Sequence, residues 1–109
     1  SSDYRLKENV DYTWDATTRL KQLKPARFNW IVDDTNTLLD GFLAHEAQAV
    51  FPTAVIGVKD ATKPAELDDD GNAITGTTIE PQQMDHSKLV PLLVKTIQEL
   101  EARITTLEG

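Results

Sequence analysis

A serine hydroxyl and a lysine amine stand five positions apart near the first residue of the sequence, at Ser2 and Lys7. A neutral lysine can take the proton of a serine hydroxyl that attacks a carbonyl carbon, so the pair is a candidate nucleophile and base for acyl chemistry. Ser1 is an alternative nucleophile, six positions before Lys7. Such pairs also stand on inert surface loops, so their chemistry depends on what positions them.

A lysine amine acts as a base only when it is neutral, and an ordinary lysine is almost entirely protonated at neutral pH. Burial and the neighbouring charge of Arg5 favour the neutral amine, whereas Asp3 and Glu8 favour the ammonium. A chain of 109 residues has little interior to offer its first residues. We therefore expect a subunit interface to supply the burial that Lys7 needs.

His45 is a further candidate, because an imidazole can orient or polarise a nearby nucleophile and base. Its neighbour Glu46 is the expected partner of that imidazole. We assign His45 an auxiliary role beside Ser2 and Lys7.

An acidic stretch in the second half has the spacing of a partial calcium loop. Glu66, Asp68 and Asp70 alternate ahead of Gly71. Thr77, however, stands where such a loop needs its final bidentate glutamate. We interpret the stretch as a solvated acidic turn, and we expect no metal and no cofactor.

The composition limits the classes of partner. The net charge of -7 opposes sequence-independent binding to phosphate backbones, so no nucleic-acid partner is expected. The chain has no cysteine, which excludes disulfides and thiolate metal sites. No apolar run approaches the length of a membrane span, so we also expect no membrane partner.

The hydrophobic pattern predicts the elements around the candidate residues. The first ten residues are an irregular, charged stretch that we interpret as an extended arm or a short strand. Residues 13–24 predict a short helix, capped by Thr13 or Asp15 and ended by Pro25. Residues 26–31 alternate polar and apolar side chains, which predicts a strand, and residues 37–42 are its expected hairpin partner.

The middle of the chain continues in short elements. Residues 43–51 predict a second short helix before Pro52, and residues 55–58 predict another strand. From 59 to 81 the sequence is polar and turn-prone, which predicts a long exposed hairpin or loop. Because the aromatic residues concentrate in the first half, the main core is expected there.

From Asp85 the pattern predicts one long helix to Glu108, capped by Asp85 or Ser87, with Pro91 in its first turn. Its apolar residues fall on heptad positions a (Val90, Ile97, Ile104) and d (Leu93, Leu100, Leu107). These six residues, here called the seam, predict either a coiled coil between copies or an amphipathic helix packed on its own domain. Glu99 is expected to pair with Arg103 one turn later.

Four segments carry a family resemblance. They are Ser-Asp-x-Arg-Leu-Lys at 2–7, Phe-Asn-Trp at 28–30, Gly-Phe-Leu-Ala-His-Glu at 41–46 with Pro-Thr-Ala-Val at 52–55, and the helix at 89–108. Together they resemble the intramolecular chaperone auto-processing domain of phage tailspikes, tail fibres and neck appendages, the peptidase S74 family.

The resemblance implies one small α+β domain over 1–109, with short strands and helices, an exposed hairpin arm and a C-terminal helix in a trimeric coiled coil. Its body, with the cleavage segment, would span 1–84 and the coiled-coil helix 85–109. The implied partners are two further copies, in contact through the seam, and the preceding β-rich fibre or spike segment of the same chain. β-branched residues at a with Leu at d would by themselves favour two strands, so the heptad rule and the resemblance differ.

The resemblance also implies an activity. The domain would register three chains during folding and then cut itself free just before Ser2, or before Ser1, with Ser2 as nucleophile and Lys7 as base. This would take place in the host cytoplasm during virion assembly, and the domain would be absent from the mature fibre or spike. The alternative is a non-enzymatic trimerisation cap in which Ser2 and Lys7 are inert.

Overall fold

A computed structural model describes residues 1–74 and 76–109 and has the expected small α+β architecture. Within these residues, five short helices or helical turns and three two-stranded antiparallel ladders precede one long helix. The molecule is elongated and measures 75 × 42 × 20 Å.

The N-terminal arm, residues 1–13, contains a single 3-10 turn at Tyr4–Leu6 instead of a strand. Asp3 initiates this turn by accepting a hydrogen bond from the Arg5 amide at 2.9 Å. Lys7 follows the turn in extended conformation. Of the two expectations, an arm or a short strand, the structure has the arm, because the Asp3 side chain offers the backbone a local alternative to strand pairing.

Helix α1 covers only Thr17–Leu20, where residues 13–24 had been expected to be helical. Neither predicted cap opens it: the Thr13 hydroxyl donates to Asp11 at 2.6 Å, and Asp15 accepts only a long bond of 3.4 Å from the Thr18 amide. The amides at the start of α1 instead donate to Glu99, on the last helix.

The predicted hairpin is confirmed as β1 (Ala26–Phe28) paired with β2 (Leu39–Gly41). Arg27 and Asp40 lie opposite each other in register and form a 2.9 Å ion pair. In the connection, Asp33 accepts hydrogen bonds from the Thr35 and Thr37 amides. The Thr35 hydroxyl and then these amides lower the pKa of Asp33 to about 2.

Helix α2 spans Ala44–Val50, as predicted within one residue, and a 3-10 turn at Pro52–Ala54 leads into β3 (Val55–Ile56). Arg19 of α1 lies over the Phe51 ring at 4.3 Å and donates to the Val50 carbonyl at 3.1 Å. These contacts hold α1 against the end of α2.

The polar stretch 59–81 is an exposed hairpin, as predicted. β4 (Thr62–Lys63) pairs with β5 (Thr78–Ile79), and the chain then returns as β6 (Gln83–Met84) to pair with β3. The acidic turn is closed by Asp68, which accepts from the Asp70 and Asn72 amides. Over residues 1–74 and 76–109, no cluster of three or more His, Cys, Asp or Glu side chains is arranged to hold a metal ion.

Helix α3 is the longest element and spans Val90–Glu108. Asp85 accepts from the Ser87 amide at 3.0 Å and caps a 3-10 turn at His86–Leu89 that leads directly into α3, so the predicted cap opens the helical segment but not α3 itself. α3 begins with no side-chain cap, and Pro91 falls in its first turn as predicted. No helix in the described part of the chain combines the length and apolar character that crossing a membrane requires.

The core joins the first half of the chain to the beginning of α3. Its fully buried members are small or aliphatic: Ala16, Ala47, Ala54, Val55, Leu89 and Leu92. The core was expected in the first half of the chain, and all its members except Leu89 and Leu92 lie there. The aromatic residues are not its buried members: Trp14, Phe42 and Phe51 pack around the cluster, and Tyr4 and Tyr12 are 83% and 81% exposed. Alanines at the contacts allow short helices to approach each other closely, and larger rings find room only at the edges.

Candidate functional site

Ser2 and Lys7 lie on the N-terminal arm, and both are exposed to solvent in the single chain. The 3-10 turn at Tyr4–Leu6 stands between them, and the Lys7 amide closes it by donating to the Tyr4 carbonyl at 3.1 Å. Ser1 also lies on the arm, where its hydroxyl accepts from the Asp3 amide at 3.3 Å. Among the described residues, no hydrogen bond joins Ser2 to Lys7, so the single chain holds both groups on one turn without completing a dyad.

Arg5 is engaged by Asp3 rather than by the candidate base. Its guanidinium binds the Asp3 carboxylate through two bonds, of 3.0 and 2.8 Å. This pairing, chiefly the side-chain hydrogen bonds, lowers the pKa of Asp3 and raises the pKa of Arg5. Arg5 is therefore paired with Asp3 in the single chain, and burial is the remaining source of the help expected for Lys7.

His45 lies at the exposed first turn of α2, within the segment that carried the resemblance. Its expected partner Glu46 instead approaches Lys24, with 3.6 Å between Nζ and Oε2, so that pairing was wrong. His45 borders an open cleft with Asp60 and Gln82, at the base of the polar hairpin. No hydrogen bond or ion pair within 1–74 and 76–109 links His45 to Ser2 or Lys7.

Two side chains of α3 hold the end of the arm and the start of α1 that follows it. Lys95 Nζ donates to the Tyr12 carbonyl at 2.6 Å. Glu99 accepts the Ala16 amide at 3.0 Å on Oε2, and the Thr17 amide at 2.8 Å and hydroxyl at 2.5 Å on Oε1. The predicted pair between Glu99 and Arg103 was therefore wrong, because the carboxylate faces α1.

These three donors favour the ionised carboxylate. The Thr17 hydroxyl, followed by the Ala16 and Thr17 amides, lowers the pKa of Glu99 to about 2. A group whose pKa is lower in the folded than in the unfolded state stabilises the fold fully above the unfolded value. The contribution of Glu99 is thus complete near neutral pH and is lost as the pH falls from the ordinary glutamate range towards 2.

The two sides of α3 have opposite environments. Leu89 just before it, then Leu92 and Thr96, are buried against the body, at 4%, 0% and 3% exposure. The six seam residues are all exposed, from 41% for Leu100 to 87% for Leu107. Of the two expectations for this helix, packing on its own domain is thus fulfilled by residues outside the seam, and the seam is left open.

Sequence reasoning missed Lys95 and Glu99. Both lie outside the heptad a and d positions, and their partners are backbone groups 83 and 82 residues earlier. The available signal was the absence of a good cap before α1, since Ala16 occupies the position that a Ser, Thr, Asp or Asn normally takes.

One family model matches the sequence. It is described as "chaperone of endosialidase" and covers residues 2–56, just over half of the chain. The matched region includes Ser2, Lys7 and His45 and ends before the polar hairpin and α3. No curated protein matches the chain.

Proposed function

Since the chain belongs to the peptidase S74 family of endosialidase chaperones, we propose that it trimerises and registers a phage tail fibre or tailspike during folding, and then releases itself by autoproteolysis. Family membership supports the intramolecular chaperone role. Assembly would take place in the host cytoplasm, and the preceding β-rich segment of the same chain would be the client.

The exposed seam is the observation that carries the proposed assembly. Leu92 and Thr96 of α3, with Leu89 just before it, are buried against the body of the same chain. The helix also presents the seam, a second apolar stripe that runs over its whole length and is exposed to solvent. Exposed apolar patches of this regularity mark interaction surfaces. Two further copies of α3 would cover the stripe by heptad packing.

The proposed cleavage begins with the Ser2 hydroxyl. Its oxygen attacks the carbonyl carbon of the preceding residue while Lys7 takes the hydroxyl proton. The peptide bond to the nitrogen of Ser2 breaks, Lys7 returns the proton to the leaving amine, and water hydrolyses the resulting ester. If Ser1 is the nucleophile, the cut lies one residue earlier.

The exposure of the arm supports an order of events. In the single chain Lys7 is exposed to solvent, and Arg5 is paired with Asp3. Tyr4, Leu6 and Tyr12 project apolar surface from the same arm. Burial of this surface against neighbouring subunits or the fibre would desolvate Lys7, and cleavage would follow assembly.

The test is a longer chain that continues upstream into the fibre segment, analysed by mass and by size. We expect the parent chain to cut itself, and Ser2→Ala and Lys7→Ala each to remain uncut as folded trimers, because neither residue contacts the core. Ser1→Ala decides between the two nucleophiles. Lys21→Ala, an exposed lysine on the body, is the matched control and should cut normally.

The trimerisation cap remains the second candidate, and the same open seam favours it. It predicts a trimeric parent chain that keeps its full mass. Normal cutting in Ser2→Ala and Ser1→Ala alike would contradict the proposed serine chemistry.

A further inference from the structure

The arm and the seam helix are joined by two side chains of α3 that the proposed chemistry does not use. Lys95 and Glu99 are one helical turn apart, and the buried Thr96 lies between them in sequence. Residues 1–10 make hydrogen bonds only among themselves in the described part of the chain. The direction in which the arm leaves the body is therefore set where these two side chains hold it.

Each tie fixes backbone rather than a mobile side chain. Lys95 binds the carbonyl of Tyr12, and Glu99 binds two consecutive amides, of Ala16 and Thr17. Hydrogen bonds that involve an ionised partner are stronger than neutral ones, and here the charges have opposite sign and act on opposite backbone groups. A chain held by its carbonyl at one point and by its amides four and five residues later has a defined path between them.

We propose that Lys95 and Glu99 form a clasp that orients the N-terminal arm relative to the seam, and that both are positioning residues for the cut. This inference rests on the proposed function. Because α3 carries the clasp on one side and the seam on the other, packing α3 into an assembly also sets where each arm begins. The seam and the nucleophile would then be related in space through the contacts of α3 with Tyr12 and with α1.

The first test uses the 109-residue chain and needs no cleavage. In Glu99→Ala, amide hydrogen exchange at Ala16 and Thr17 should accelerate about 2- to 30-fold, the range that loss of a helix cap produces. Glu99→Gln keeps the size of the side chain and one acceptor oxygen, so its exchange rates at Ala16 and Thr17 should lie between those of the parent chain and of Glu99→Ala. The control is Glu101→Ala, an exposed carboxylate on the same helix. Unchanged exchange in both Glu99 variants would overturn the clasp.

The second test measures the cleavage rate in the longer chain. Glu99→Ala and Lys95→Ala should slow cutting by about 10- to 100-fold, as a displaced reacting group does, while the trimer persists. Lys95→Arg keeps a donor and should restore most of the rate, which a merely structural role would not predict. Lys88→Ala, an exposed lysine before α3, should cut normally.

The outcomes separate this inference from the proposed function. If Ser2→Ala blocks cutting but Glu99→Ala and Lys95→Ala trimers cut at the parent rate, the clasp is wrong and the serine chemistry stands. If the parent chain never cuts, the proposed function and the positioning role both fall, and hydrogen exchange alone decides whether the clasp orders the arm.

Discussion

The N-terminal arm and α3 both project apolar side chains into solvent, yet contacts within the single chain fix α3 far more than they fix the arm. The seam lies on a 19-residue helix whose neighbouring side is packed against the core. The arm has one 3-10 turn, held by Asp3 and Arg5, and in the described part of the chain its first hydrogen bond to α3 is at Tyr12. The surface proposed for assembly is thus formed within one chain, while the residues proposed for chemistry still have to be placed.

The largest effect is expected from a substitution that disrupts the seam. Leu100→Glu should abolish trimer formation and, with it, cleavage, because three carboxylates facing one another in the seam cannot be desolvated without partners. The isolated chain should remain folded, since Leu100 is exposed there. Light scattering and the mass of the longer chain measure both effects.

Gln98→Glu is the control for this charge, because it adds the same carboxylate at an exposed position outside the seam. It should assemble and cut normally. A Leu100→Glu monomer that cuts at the parent rate would contradict the dependence of Lys7 on an interface.

A smaller effect is expected on the sealed side of the same helix. Leu92→Ala should lower the free energy of unfolding by about 2–5 kcal/mol, because Leu92 is fully buried and its removal leaves a cavity. In the isolated chain, Leu100→Ala should change that free energy far less. Urea unfolding of both variants compares the two sides directly, and equal losses would mean that the seam is also packed within one chain.

The smallest expected effect is an increase in the free energy of unfolding. The Thr96 hydroxyl is buried without a hydrogen-bond partner in the part of the chain that the structure describes. Thr96→Val keeps the shape and removes the unsatisfied group, so the free energy of unfolding should rise by about 1 kcal/mol. Thr105→Val, on the exposed end of α3, should give no such gain in thermal unfolding. A loss at Thr96 would instead point to a water or partner group that binds this hydroxyl.

Elements with a local signal were predictable from sequence. The alternation around Phe28 and the turn at Asp33 located the hairpin, and Asp85 with Pro91 located the start of α3. In these segments the residues that define an element are within a few positions of one another.

Features that depend on distant residues were not predictable in the same way. The start of α1 is set by Glu99, and Glu46 turns to Lys24 rather than to His45. Helix propensity around Thr13 and Asp15 has no information about either contact. The sequence correctly placed Ser2 and Lys7 on an N-terminal arm and His45 on a short helix. The catalytic roles of these three residues stay predictions.

The family match and the seam are independent of each other. The match covers residues 2–56, whereas the seam begins at Val90. The proposed assembly surface therefore rests on the heptad spacing and on the exposure of one side of α3. The resemblance had been drawn over nearly the whole chain, and the family model supports its first half.

The tie between Glu99 and Thr17 has a consequence for biosynthesis. The two residues are 82 positions apart, and a chain is made from its amino end. Ser2 and Lys7 therefore leave the ribosome long before the carboxylate that caps α1 exists. A chain truncated before Glu99 would keep the nucleophile and the base but lack the cap at the root of the arm. If Glu99 and Lys95 orient the arm as proposed, the geometry of the first residues becomes defined only after α3 has been made.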